Sequence, residues 1–151
     1  MLQPADHRGF FLLPQRAAGL NADMSAAHGA AKPLAYVVDD EPMLLDLNEA
    51  TLRSMGFEVR RFRGAELALE EYKKSKVPPA IIVTDYSMHR MTGLELVEAC
   101  RLINPEQKFL MVSGTVSAAV FEHALVRPDE FMPKPYSLDD FAASVQRLTG
   151  G

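Results

Sequence analysis

Three aspartates stand at the ends of two apolar runs in this sequence. Asp39 and Asp40 follow the run over residues 34–38, and Asp85 follows the run over residues 80–84. If both runs are parallel strands of one sheet, the carboxylates meet at one edge, where they repel each other unless a cation joins them. The arrangement predicts a Mg²⁺ site. It also makes an aspartate a candidate phosphoryl acceptor, because a metal that neutralises the pocket can also bind phosphoryl oxygens.

The composition indicates one globular domain in a reducing compartment. The chain has 151 residues, 48% of them apolar and 24% charged, which is enough to bury a core without disulfides. The single cysteine, Cys100, cannot form a disulfide framework within the chain and is interpreted as a packed thiol. The net charge is −4 and there is no basic stripe, so we expect no direct contact with nucleic acid.

The beginning of the chain differs from the remainder. Glycine, proline and alanine are scattered through residues 1–33 without a helix or strand period, so we predict a disordered extension there and a folded domain over residues 34–149. The apolar run at residues 10–13 is far too short to span a membrane and lacks the basic region of a secretory signal. We therefore expect a cytoplasmic protein that does not contact a membrane.

From residue 34 onward, short apolar runs alternate with helical patterns. Strands are predicted over residues 34–38, 57–59, 80–84, 109–112 and 130–132, with helices between them and after the last. The first helix should begin at Pro42, end at Gly56 and bury positions 44, 47, 51 and 55, a weaker fourth helix should cover about residues 116–125, and Ser137 should begin the fifth with a capping box. Five strands alternating with five helices predict an α/β fold with a doubly wound parallel sheet.

In such a sheet, ligands bind outside the carboxyl ends of the strands. Ser113 and Lys134 follow the predicted fourth and fifth strands, so both would lie at the same edge as the three aspartates. One acid at a strand end is a common turn or cap residue. The joint placement of all five residues is what indicates a site.

Four stretches of the sequence resemble the receiver domain of two-component response regulators. They are VDDEP at residues 38–42, TDYSM at 84–88 together with MTGLEL at 91–96, VSG at 112–114, and FMPKP at 131–135, and they follow the family's order and spacing. The resemblance covers the chain from about residue 34 to its end. It implies a CheY-like, single-domain response regulator with a flavodoxin-like (βα)5 sheet in the strand order 2-1-3-4-5.

The resemblance also implies the roles of the acidic residues. Asp85 would be phosphorylated by a histidine kinase or a histidine phosphotransfer protein of a two-component system or phosphorelay. The cofactor would be Mg²⁺, bound directly by Asp40 and by Asp85, with Asp39 assisting through water and the backbone carbonyl of Ser87 supplying a further ligand.

A switch is implied as well. Lys134 would contact the phosphoryl group as a point charge and the Ser113 hydroxyl would hydrogen-bond it, while the ring of Phe131 would turn inward as that hydroxyl moves. The signal would reach an unknown downstream protein through the fourth helix, fifth strand and fifth helix. The Lys134–Pro135 bond is expected to be cis.

Several positions depart from the family's pattern, His89 and Pro133 among them, and the role of Glu41 stays open. His89 stands where proline is usual, and Pro133 precedes Lys134, which leaves the phosphoryl lifetime unspecified. Glu41 is either a neighbour of the metal or a solvated acid.

Three classes of function are compatible with these residues. The first is a phosphoacceptor signalling domain that assists its own phosphorylation and dephosphorylation but is not an enzyme for a separate substrate; it could also serve as a phosphate sink or relay intermediate. A small phosphohydrolase would need a second acid two residues from Asp85, which the sequence lacks. A flavin-binding module would need a hydroxyl-rich loop after the first strand, where Asp39, Asp40 and Glu41 would instead repel a phosphate. No motif indicates the cognate kinase, the pathway or the oligomeric state.

Overall fold

Regular structure extends from Leu34 to Thr149 in a computed structural model that describes residues 31–150. The predicted extension over residues 1–33 therefore lies almost entirely outside the described residues. In chain order the elements are β1 (Leu34–Val38), α1 (Pro42–Ser54), β2 (Glu58–Phe62), α2 (Ala65–Lys74), β3 (Ile81–Asp85), α3 (Gly93–Ile103), β4 (Phe109–Ser113), a 3₁₀ turn (Ala118–Phe121), β5 (Glu130–Pro133) and α4 (Leu138–Thr149).

The five strands form one parallel sheet in the order β2-β1-β3-β4-β5, which confirms the predicted topology. β3 and β4 are buried along their whole length because helices cover both faces of the sheet, as their uninterrupted apolar sequences indicate. One face packs with α1 and α4, and the other packs with α2 and α3. The winding reverses between β1 and β3, so a crevice is expected at their carboxyl ends. Among residues 31–150, no helix is long and apolar enough to cross a bilayer.

Helix α1 begins and ends where the sequence predicts, but its buried face differs. Pro42 occupies the first turn, and Gly56 follows the helix with φ of +100°, a conformation that glycine adopts without strain. The buried residues are Leu45, Asn48 and Leu52 rather than positions 44, 47, 51 and 55. Both stripes have helical spacing, and the sequence offered no reason to bury an asparagine. Asn48 is buried because its side-chain oxygen accepts a 2.9 Å hydrogen bond from the Tyr136 hydroxyl.

The predicted fourth helix is wrong. Residues 116–125 contain only the 3₁₀ turn, so the sheet is accompanied by four α-helices instead of the five in the (βα)5 prediction, and the predicted fifth helix is α4. Two causes are visible in this segment. Ser117 provides no side-chain cap, and Phe121 is the one buried residue of the turn, so little packing energy opposes the entropy of forming a helix.

The N-termini of α3 and α4 are capped by side chains. Thr92 and Glu95 form a reciprocal capping box at α3. At α4, Ser137 accepts a hydrogen bond from the backbone N–H of Asp140, which is half of the predicted capping box. These caps fix where the two helices begin relative to the sheet edge.

Candidate functional site

The three aspartates predicted to converge do so. Because β1 and β3 are adjacent with Val38 opposite Thr84, the residues that follow them lie side by side. One carboxylate oxygen from each of Asp39, Asp40 and Asp85 lies within 4.8 Å of the others. Asp39 and Asp85 are buried, at 1% and 6% exposed, whereas Asp40 faces solvent. The site is therefore a partly enclosed acidic pocket with one open side.

Lys134 brings a positive charge into this pocket. Its ammonium nitrogen lies 3.3 Å from Asp39 Oδ2, 3.3 Å from Glu41 Oε1 and 3.6 Å from Asp85 Oδ1. The backbone N–H of Lys134 donates to the carbonyl of Ser113, so the lysine continues the β4–β5 ladder before the chain turns at the cis bond to the next residue. The fifth strand thus positions Lys134 above the acids.

The Glu41 carboxylate lies next to the Lys134 ammonium. Its carboxylate is largely exposed, and its backbone N–H donates to Asp39 Oδ1 at 2.9 Å. Glu41 therefore competes with the two buried aspartates for the Lys134 ammonium.

Burial dominates the electrostatics of the pocket. It raises the pKa of Asp85 to about 6, a rise that Lys134 opposes and the neighbouring charge of Asp39 reinforces. Burial also raises the pKa of Asp39, although the N–H of Glu41 and the Lys134 charge oppose it. At Lys134, burial lowers the pKa, but the charges of Asp39 and Asp85 outweigh this and raise it overall. The single positive charge of Lys134 therefore does not neutralise the carboxylates of the pocket.

A hard divalent cation would supply the positive charge that the pocket lacks. The donors are all carboxylate oxygens, which Mg²⁺ prefers, and oxygens on opposite sides of an octahedral Mg²⁺ are about 4.2 Å apart. The three carboxylate oxygens lie within 4.8 Å of one another, so only a small side-chain adjustment is needed for them to surround one ion. The exposed side at Asp40 also leaves room for the waters that Mg²⁺ retains.

Three hydroxyl groups lie near Asp85, one at the end of β4 and two in the loops that follow β3 and β4. Ser113 is fully buried at the end of β4, and its Oγ is 3.1 Å from Thr115 Oγ1. Thr115 Oγ1 is in turn 2.5 Å from the Oγ of Ser87, which belongs to the loop after β3. Sequence reasoning identified Ser113 and the carbonyl of Ser87 but missed Thr115. The available signal was the spacing, since Ser87 and Thr115 each stand two residues beyond a site residue.

A row of aromatic rings extends from this region to β5. The ring centroids of Phe131 and Phe121 are 5.5 Å apart, and those of Phe121 and Tyr86 are 6.1 Å apart. Phe131 is half-buried and Phe121 is buried. The residue that follows Asp85 is therefore connected by packing to the predicted switch residue on β5.

Helix α3 begins in direct contact with the acidic strand end. A Cβ added to Gly93 would lie 2.2 Å from the backbone oxygen of Asp85, so no other residue fits without moving the backbone. The Gly93 N–H donates to the Tyr86 carbonyl at 2.8 Å. This close approach fixes the backbone of Asp85.

An apolar groove of about 550 Å³ borders the pocket on the side of Lys134. It lies between α1 and the start of α4, and Met43, Leu47 and Leu138 expose apolar surface there. Cys100 lies away from this region in the core, where burial raises the pKa of its thiol to about 12, in agreement with a packing role. His89 is exposed in the loop after β3.

Comparisons with known proteins agree on one family. A family model described as the response regulator receiver domain matches residues 35–146. The nitrogen assimilation regulatory protein NtrX of Azorhizobium caulinodans is 30% identical over 118 residues, which are 74% of this chain but 25% of that protein, so the chain spans about a quarter of this relative.

Two solved structures share the fold. A CheY-like receiver domain protein from Methanospirillum hungatei has a TM-score of 0.72 and 24% identity, covering 80% of this chain and 95% of the other. The response regulator TrrA from Thermotoga maritima, in complex with Mg²⁺ and BeF, has a TM-score of 0.66 and 23% identity, covering 77% and 98%.

Proposed function

Because this chain belongs to the response regulator receiver family of two-component systems, we propose that Asp85 accepts a phosphoryl group from phosphohistidine on a histidine kinase or a histidine phosphotransfer protein. The observation that carries the proposal is the burial of the Asp85 carboxylate beside Asp39, Asp40 and Lys134 at the carboxyl edge of the sheet. The chain then acts as a phosphoacceptor signalling domain that assists its own phosphorylation and dephosphorylation.

The transfer requires an ionised carboxylate held in place. The phosphorus–nitrogen bond to the donor imidazole breaks while a phosphorus–oxygen bond to Asp85 forms, and the imidazole nitrogen leaves with the electron pair. The Lys134 ammonium favours the ionised form of Asp85, and the close contact of Gly93 fixes the backbone beneath it. Positioning and charge neutralisation are the main requirements of such transfers.

Asp40 and Asp85 would hold Mg²⁺ directly, Asp39 would assist through water and the Ser87 carbonyl would complete the protein ligands. Bound Mg²⁺ neutralises charge on the acids and on phosphoryl oxygens. The acidic oxygen donor set and the complex of TrrA with Mg²⁺ and BeF support this assignment.

The donor would approach along the apolar groove beside Lys134. The exposed Met43, Leu47 and Leu138 offer apolar contacts next to the open side of the pocket. A donor that covers this groove would exclude water from the reacting groups, which strengthens their electrostatic interactions.

The signal would leave on the opposite side of the pocket. Ser113 would donate to the phosphoryl group, Phe131 would turn inward, and the packing of Phe131 on Phe121 would carry the change to the 3₁₀ turn. The surface formed by this turn, β5 and α4 would then bind a downstream protein.

The test is to incubate the protein with a small phosphoramidate and Mg²⁺ and to measure intact mass. Wild type should gain one phosphoryl group, chelation of Mg²⁺ should prevent the gain, and Asp85→Asn should remain unlabelled. Glu98→Gln, which removes an exposed carboxylate on α3, is the matched control and should be labelled like wild type. Equal labelling of Asp85→Asn would remove Asp85 from the role of acceptor.

A further inference from the structure

The Ser113 hydroxyl, at the end of β4, makes three hydrogen bonds to residues of the loop that follows. Its Oγ accepts the backbone N–H of Thr115 at 3.1 Å and that of Val116 at 3.3 Å. A serine hydroxyl has two lone pairs and one proton, so the two amides take both lone pairs. The remaining neighbour is Thr115 Oγ1 at 3.1 Å; either hydroxyl can donate at this distance, and the two amide bonds to Ser113 Oγ favour Ser113 as the donor.

A further hydrogen bond connects Thr115 to the loop after β3. As the acceptor from Ser113, Thr115 can donate its own hydroxyl hydrogen to Ser87 Oγ, 2.5 Å away. The hydrogen bonds thus have one polarity, from Ser113 through Thr115 to Ser87. Hydrogen bonds in such a chain strengthen one another. The loop after β4 is thereby tied to the loop after β3 directly beside Asp85.

We propose that Thr115 is a positioning residue that keeps the Ser113 proton away from Asp85 in the unphosphorylated protein. The inference rests on the proposed function, in which Ser113 donates to the phosphoryl group. Ser113 follows Val112, the residue opposite Asp85 in the β3–β4 register. Its side chain has no second proton to offer, so phosphorylation must break the bond between Ser113 and Thr115. Thr115 therefore competes with the phosphoryl group for one proton.

The hydrogen bond between Ser113 and Thr115 should weaken the binding of a phosphoryl group by a defined amount. A neutral hydrogen bond contributes on the order of 1 kcal/mol net, which is roughly a three- to tenfold change in an equilibrium constant. Removing the Thr115 hydroxyl should release the Ser113 proton while leaving both amide bonds to Ser113 in place, since these come from the backbone. The pocket should then bind a phosphoryl group more tightly.

Beryllium fluoride with saturating Mg²⁺ is the probe, measured by calorimetry, because it stands in for a phosphoryl group on a carboxylate. Thr115→Val keeps the shape of the side chain without its hydroxyl and should bind roughly three- to tenfold more tightly than wild type. Thr115→Ser keeps the hydroxyl and should bind like wild type. Ser117→Ala is the matched control, since Ser117 is exposed in the same loop and makes no capping bond.

A double substitution tests whether Ser113, Thr115 and Ser87 are connected in this order by hydrogen bonds. Ser87 acts on Ser113 only through Thr115, so adding Ser87→Ala to Thr115→Val should change the affinity for beryllium fluoride no further. Additive effects of the two substitutions would show that Ser87 acts independently of Thr115, and would rule out a connected series of hydrogen bonds. The affinity for Mg²⁺ alone should be the same in wild type, Thr115→Val and Thr115→Ser, whereas a general distortion of the loops would change it.

The proposal is overturned if Thr115→Val binds beryllium fluoride with equal or lower affinity, or if Thr115→Ser changes the affinity as much as Thr115→Val does. These failures differ from failure of the proposed function. If wild type neither binds beryllium fluoride nor is labelled on Asp85, the acceptor role is wrong. If wild type does both and Thr115→Val is unchanged, only the role of Thr115 is wrong.

Discussion

Replacing Asp85 by asparagine should stabilise the metal-free protein. Burial is the main cause that raises the pKa of this carboxyl from 3.8 to about 6. A group whose pKa is higher in the folded state than in the unfolded state binds its proton more tightly when folded. The free energy of unfolding therefore falls as pH rises through the interval between the two values. Asparagine carries no charge and avoids this loss.

The magnitude follows from the two pKa values. A tenfold change in a dissociation constant corresponds to about 1.4 kcal/mol, so the interval from 3.8 to about 6 corresponds to about 3 kcal/mol. Solvent screening reduces this little, because the side chain is only 8% exposed. The advantage of Asp85→Asn over wild type should be small below pH 3.8, grow up to about pH 6 and stay constant above it.

Urea unfolding followed by circular dichroism, across this pH range and with a metal chelator, measures the difference. Groups shared by both proteins largely cancel when the two curves are subtracted. Glu98→Gln, which removes an exposed carboxylate, should show no comparable pH-dependent gain. Added Mg²⁺ should stabilise wild type more than Asp85→Asn, because a ligand that binds only the folded state stabilises it in proportion to its affinity.

Two results would refute this reasoning. A difference between Asp85→Asn and wild type that is independent of pH would mean that burial does not disfavour the Asp85 charge. Greater stability of wild type at neutral pH would mean that Lys134 compensates the carboxylate fully without a metal. Either result would remove the electrostatic reason for placing a cation in the pocket.

Two further substitutions test how the site is supported. Gly93→Ala should destabilise the protein by roughly 1–3 kcal/mol in urea unfolding, because the added Cβ would lie 2.2 Å from the Asp85 carbonyl oxygen, and wild-type stability would contradict this contact. Asp129→Ala should destabilise by roughly 1–3 kcal/mol, since Asp129 Oδ2 accepts 2.7 Å hydrogen bonds from Arg101 and from the N–H that begins β4. Asp129→Asn keeps an acceptor for that N–H and should cost less, and equal losses would show that only the charge of Asp129 matters.

The sheet could be predicted because its strands are unambiguous in the sequence. β3 and β4 are continuous apolar runs, which parallel strands need when helices cover both faces. Helix faces are harder to predict, because α1 carries two neighbouring apolar stripes and the stripe that is buried includes Asn48. Its hydrogen bond comes from Tyr136, far away in the chain, and no local pattern encodes such a partner.

The missing fourth helix has a similar explanation. The apolar residues of this segment have helical spacing, but few of them make the tertiary contacts that normally stabilise a short helix: Phe121 is buried, whereas Leu125 is fully exposed and Val120 is about half exposed. The sequence indicates where a helix is possible. Whether enough surface is buried to form it depends on the neighbouring elements.

The residues of the site also differ in how well the sequence predicts their positions. Asp39, Asp40 and Asp85 were predictable together because their positions follow from strand ends and sheet topology alone. Lys134 was predictable for the same reason. The competition of Glu41 for Lys134 and the hydroxyl of Thr115 were not, because both depend on how a side chain turns within a loop.

The same difference between strand ends and loops would matter for signalling in the proposed function. The groups that would bind metal and phosphoryl lie on the ends of buried strands, so they are held in place whether or not a ligand is bound, and the burial that holds them also leaves their charge poorly compensated. The groups that would respond lie at the ends of β4 and β5 and in the adjoining loops, where a few hydroxyl hydrogen bonds and one buried ring, Phe121, hold them. Neutralising the charge gains free energy at the rigid edge, while rearranging the loops costs only a few weak contacts. In the proposed function, a phosphoryl group on Asp85 would therefore drive a change at the 3₁₀ turn without disturbing the sheet.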